Sequence, residues 1–229
     1  MRRNLDFWGA LTLLMRKEFR LELRSKQTLI TMLMFGVVLT FMYSIGFETD
    51  PGTNRKVFSG VVWGALLFTG ALGVGRSFAH ESSSGVFDAL MLAPLPRSAI
   101  LVSKLLVNVI LMSIVMIVVI PLFAVMLRVE IADVLPMLSL QVFVGIVGFC
   151  SIATPVSVIG TTARFPEVLL PMVVFPLITP VLIAGVKGTG VLLGTAIGDS
   201  PLGWVYFTAA FSTVFLTLGV LLFDKLVTE

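Results

Sequence analysis

The chain has 229 residues, 57% of them hydrophobic and 13% charged, with a net charge of +3 and a mean hydropathy of +1.05. A soluble domain of this length needs a largely polar and charged surface, so lipid must cover most of this one. A single cysteine, Cys150, excludes an internal disulfide framework and any multi-cysteine metal site, and so small a charge offers no basic field for nucleic acid.

Residues 1–27 form a charged lead to the first apolar run, with Arg2, Arg3, Arg16, Lys17, Arg20, Arg24 and Lys26. The lead is too long and too charged for a cleaved secretory signal, so the amino terminus is expected to be retained. Within it Leu11, Met15, Phe19 and Leu23 recur every fourth residue as an apolar stripe, beside a basic stripe of Arg16, Arg20 and Arg24. The pattern predicts an amphipathic helix in the headgroup layer, with Phe19 and Leu23 inserted and Arg16, Arg20 and Arg24 facing anionic lipid. A helix packed on a partner protein satisfies the same pattern.

Residues 28–229 read as one transmembrane domain. Six charge-free runs are long enough to cross a hydrocarbon core: Thr28 to Phe47, Val57 to Gly75, Leu105 to Leu127, Val134 to Ala163, Val168 to Val186 and Pro201 to Phe223. The fourth exceeds what a span requires, so tilt or an interfacial end is expected there. Alternating the loops leaves only Arg55, Lys56, Arg128 and Lys187 of the 16 Lys and Arg residues on the side opposite the termini. The positive-inside rule then makes both termini cytoplasmic. The expected fold is an all-α membrane protein: a six-helix bundle with an N-terminal interfacial helix and a cytosolic coupling helix.

Prolines fall inside the runs at Pro121 and Pro155, and Pro171, Pro176 and Pro180 crowd the fifth, which predicts a kinked segment. Between the fifth and sixth runs, Gly190, Gly194 and Gly198 recur every fourth residue. The stretch Gly185 to Gly198 is compatible with a dip back into the membrane and equally with a helix-packing face. Cys150 is expected to be a packed core thiol.

Motifs for chemistry are missing. The chain has no Gly-x-x-x-x-Gly-Lys-[Ser/Thr], no second histidine to complete a zinc motif with His80 and Glu81, and no Gly-x-Ser-x-Gly. The chain therefore reads as a non-enzyme. An ion-driven transporter is also disfavoured, because Arg76, Glu81, Lys104, Arg128, Arg164 and Glu167 fall at or just beyond expected span boundaries, where long side chains snorkel. Gln141 and Asn108 remain as polar contacts within the spans.

The connection Arg76 to Lys104 is the informative one. Val86, Phe87, Leu90 and Met91 fall at helical spacing, Ser82 to Ser84 can cap, and Pro94 and Pro96 stop the helix. A stiff apolar helix in a cytosolic loop is something a soluble partner can grip.

This connection resembles that of ABC-2-type exporter permeases. More narrowly, it is similar to the heme exporter B-type subunit of the cytochrome c maturation system. Glu81, Gly85, Asp88, Leu90, Leu92, Pro94, Pro96 and Lys104 carry the match, with the chain length, the basic amphipathic helix and the run Phe175 to Pro180 in support. Phe87 and Asp88 stand where Leu and Glu are commoner in such exporters.

The resemblance implies a permease in a bacterial or organellar inner membrane, in complex with a cytosolic ABC ATPase, a heme-handling membrane protein and a small single-span protein. It further implies release of heme-loaded chaperone at the expense of ATP, and a homodimer. Heme is then a handled ligand, and no bound cofactor is assigned to this subunit. His80 is read as a boundary histidine and the methionines as packing. Without a P-loop, ATP can act only through contact. The ATPase is expected on Gly85 to Met91, with Phe87 and Leu90 as anchors and Asp88, Met91 and Pro94 beside them, and with Glu81 fixing orientation. A permease for a drug, lipid or polysaccharide, or a non-transporting scaffold, are the competing readings.

Overall fold

The computed structural model describes residues 6–46, 51–83, 95–160, 166–198 and 200–226; for 76–83, 158–160, 166–170, 222 and 224–226 it describes the backbone alone. Among the described residues there are seven helices and no strand: α1 (Phe7–Ser25), α2 (Gln27–Gly46), α3 (Pro51–Ser83), α4 (Arg97–Met126), α5 (Leu135–Gly160), α6 (Pro166–Leu192) and α7 (Pro201–Leu226). Six of them, α2 to α7, are long and apolar enough to span a membrane.

Helix α1 starts at Asp6, whose carboxylate accepts from Phe7 N at 2.9 Å, and stops at Lys26, which takes the left-handed conformation with φ 52°. That one residue turns the chain, and α2 begins at once. The Glu22 carboxylate reaches across the break to accept from Leu29 N at 2.9 Å, satisfying a first-turn donor that α2 cannot serve itself.

The spans α3 and α4 exceed the expected runs. With 33 and 30 residues they are about 50 and 45 Å long, well beyond the roughly 30 Å of hydrocarbon. Helix α3 continues past Gly75 to Ser83, so Ser82 and Ser83 belong to the end of this helix. Helix α4 begins at Arg97, not Leu105, with Pro96 at its N-cap. Its other end closes on left-handed Arg128, with bonds from Val129 N to Ala124 O at 2.9 Å and Arg128 N to Val125 O at 3.2 Å. Those two bonds satisfy carbonyls that the helix leaves open. The buried Asn54 side chain donates to Leu127 O at 3.0 Å and ties the start of α3 to this turn.

Helix α6 runs beyond the expected Val186 to Leu192 and ends in the same type of turn, with Gly194 at φ +69° and Thr195 N bonded to Gly190 O at 2.8 Å. The glycine-rich stretch is therefore mostly the last turns of α6, and the helix stays continuous through Pro171, Pro176 and Pro180. Helices α4 and α5 likewise continue through Pro121 and Pro155.

The core lies among α3 to α6, around Phe58, Trp63 and Leu66, Val115, Val119 and Phe123, Phe149 and Cys150, and Val174, Ile178 and Val181. Helices α2 and α7 flank it. Only 17% of each of those spans is buried against 61% of α3, so these two present the widest faces to lipid. Cys150 is fully buried, with Sγ 3.6 Å from Met112 Sδ.

Candidate functional site

At one end of the bundle α1 packs along the first turns of α4. Ala10 and Leu14 meet Ala99 and Ile100 in a small buried cluster flanked by Phe7 and Leu95. Glu18 comes next on the same face of α1, because positions 11, 14 and 18 share a helical stripe. Its Oε1 lies 3.1 Å from Lys17 Nζ and 3.6 Å from Lys104 Nζ. The Lys104 side chain is only 2% exposed. The expectation that Lys104 snorkels at a boundary is thus corrected: α4 starts earlier, and this lysine points inward at α1. A buried ammonium is tolerated only with an acceptor close by. One turn further, Asn108 Nδ2 donates to Thr154 Oγ1 at 3.4 Å, linking α4 to α5.

The interfacial residues read from sequence sit on α1. Arg16, Arg20, Leu23 and Arg24 are exposed and Phe19 is half-buried. The apolar stripe does not stay on one face, because a four-residue step advances about 40° beyond each full turn. Leu11 is accordingly buried while Leu23 is 61% exposed, and Trp8 is exposed as well. One side of α1 joins the bundle, and the rest of its surface carries Trp8, Leu23 and the three arginines.

Of the residues expected to contact an ATPase, Glu81 lies in the last turn of α3, as read from its backbone. Gly85, Phe87, Asp88, Leu90, Met91 and Pro94 lie outside the described residues. The described flanks still fix where that connection is attached: it leaves α3 at Ser83 and enters α4 beside α1. Glu18 was not legible as a site residue. The available signal was an acid on the core-facing register of an otherwise basic helix, together with a lysine inside a long apolar run.

At the opposite end, the Trp63 indole lies between α5 and α6. Gly145 and Gly185 approach it so closely that a Cβ on either would overlap the ring. Its Nε1 donates to Thr189 Oγ1 at 2.9 Å. Nearby, both amide atoms of the buried Gln141 lack a hydrogen-bond partner among the described residues. Lys187 Nζ stands 5.5 Å from the centre of the Trp204 ring, within cation–π range. Between α4 and α5 an apolar groove of about 400 Å³ is lined by Met116, Ile117, Pro121 and Phe143, with Ser113 and Ser139 as its polar residues. No group of three metal-ligating side chains occurs among the described residues.

Six apolar spans packed around one core, with a charged helix folded against one end, define a multi-pass membrane protein. Residues 9–226 match the family described as CcmB protein, and the chain belongs to that family. It is 24% identical to a heme exporter protein B of Pseudomonas aeruginosa over 210 residues, 92% of each chain. It is 25% identical to that of Paracoccus denitrificans over 206 residues, 90% of this chain and 93% of the relative. The protein of the same name from Rhodobacter capsulatus is 25% identical over 174 residues, 76% and 79% of the two chains.

Proposed function

We propose that this chain is the permease subunit of an ABC-type complex for cytochrome c biogenesis, handling heme export or the release of heme-loaded chaperone. The observation that carries the reading is the extent of the family match, residues 9–226, which takes in most of α1, the 84–96 connection and all six spans. The relatives' shared name, heme exporter protein B, supplies the substrate class.

In this reading both termini face the cytosol. A separate ATPase docks on Gly85 to Met91, with Phe87 and Leu90 as apolar anchors, Asp88 and Met91 beside them, Pro94 ending the contact and Glu81 orienting it by ion pairing. The membrane partners are a heme-handling protein, a small single-span subunit and a second copy of this chain. Arg16, Phe19, Arg20, Leu23 and Arg24 hold α1 in the headgroup layer. Heme is the handled ligand.

Truncation of aromatic and aliphatic anchors typically costs more than about 1–2 kcal/mol at such an interface. Replacing Phe87 and Leu90 together by Ala should abolish co-purification of the ATPase and formation of holocytochrome c, with unchanged amounts of the permease in the membrane. Ser82→Ala with Ser83→Ala should change neither. A double variant that retains its ATPase at wild-type yield would move the docking site elsewhere.

A further inference from the structure

We propose that Glu18 and Lys104 are positioning residues that make α1 and the first turns of α4 move as one body, so that a pull on the 84–96 connection reaches α2 as well as α4. The proposal rests on the reading that an ATPase acts through that connection. The connection runs into Arg97, and Lys104 lies seven residues, about 10 Å, along the same helix. There its ammonium meets Glu18 Oε1 at 3.6 Å, with the lysine side chain 2% and the glutamate side chain 11% exposed. Ala10 and Leu14 against Ala99 and Ile100 extend the contact on the side of the connection. One turn beyond Glu18, the Glu22 carboxylate holds Leu29 N at 2.9 Å. A route of direct contacts thus leads from the connection through α4, the ion pair and α1 to the start of α2.

Apolar packing alone would suffice to hold α1 on a membrane protein. A lysine withdrawn from solvent needs acceptors close by, and Glu18 supplies one of them from α1, so the pair favours one sliding position of α1 along α4, which Ala and Leu contacts do not. Helix α2 is among the least buried spans. Its movement is therefore opposed mainly by lipid and by its contacts with α1, α3 and α4.

The test uses the complete complex with its ATPase, in cells that depend on it for cytochrome c. Glu18→Gln and Lys104→Met should each keep wild-type membrane levels and ATPase co-purification while lowering holocytochrome c at least roughly fivefold. The exchanged pair Glu18→Lys with Lys104→Glu should recover at least half. Single variants with wild-type yields would overturn the joint, as would singles that shed the ATPase, since the pair would then belong to the docking surface. An exchange that restores nothing would overturn charge pairing. A wild-type complex that holds no ATPase would sink the permease reading itself, an outcome separate from these.

A second variant does not depend on tolerance of exchanged charges. With Cys150→Ala as background, Ala10→Cys and Ala99→Cys can be bridged by a short bifunctional thiol reagent. One-body motion predicts that the bridged complex keeps at least half its activity. Loss of activity on bridging, reversed by cleaving the bridge, would show that α1 and α4 must separate, and would overturn the proposal.

Discussion

The two ends of the bundle are held by different physics. At the end carrying α1, the register depends on a carboxylate and an ammonium 3.6 Å apart on long flexible side chains. At the other, an indole ring lies against the backbones of Gly145 and Gly185 with no room for a methyl group. In lipid, where burying an apolar side chain gains little over leaving it in the bilayer, close packing is the chief source of helix association. The Trp63 seam therefore holds α3, α5 and α6 in one arrangement. The ion pair holds direction and register, tolerates small displacements, and can be rebuilt with its charges exchanged.

The sharpest way to break this comparison is to empty the seam. Trp63→Ala should destabilise the protein by roughly 3 kcal/mol, the low end for a buried large aromatic because lipid is the competing solvent. Thermal unfolding in detergent should show a larger fall in midpoint than for Gly185→Ala. A loss as small as that of a lipid-facing residue such as Ile117→Ala would show that the seam does not anchor the bundle.

Gly185→Ala probes the same place by overpacking. Its Cβ meets the fused rings of Trp63, which the backbones of both neighbouring helices confine, so a cost of about 1–3 kcal/mol follows. Gly64→Ala is the control, because nothing lies within 4 Å of a Cβ there. Equal midpoints for the two would mean that the ring has space to move.

The smallest effect carries the opposite sign. Gln141 is 1% exposed, and neither of its amide atoms has a partner among the described residues. Gln141→Met, of similar shape and without polar atoms, should raise stability by about 1 kcal/mol. A fall of similar size would show that the amide is hydrogen-bonded in the membrane-embedded protein, and Gln141 would then add a polar link to the Trp63–Thr189 bond at that end.

Much of the architecture was legible because hydropathy is a local property. A run such as Leu105 to Leu127 is recognisable as a span without any knowledge of its neighbours, and so are the basic stripe of Arg16, Arg20 and Arg24 and the thiol of Cys150 in its apolar surroundings. The connection after α3 could be singled out for the same reason. Its residues Gly85 to Pro94 are outside the described structure, so their assigned role rests on the pattern and on the family. Helix ends were less legible. Charge marks where an apolar run stops, at Arg76 and Lys104, but a helix that leaves the membrane needs no apolar residues to continue, and α3 and α4 both extend past those charges.

By itself the sequence determined the number of spans, the helical class and the charged character of α1, since each follows from composition summed over neighbours along the chain. Tertiary structure alone decided that Leu11 is buried while Leu23 is exposed, that Lys104 is buried against Glu18, and that the glycines at 145 and 185 serve one indole ring. Each of those outcomes depends on a partner far away in sequence, and the cost of burying a charge or the room for a ring is set by what that partner presents.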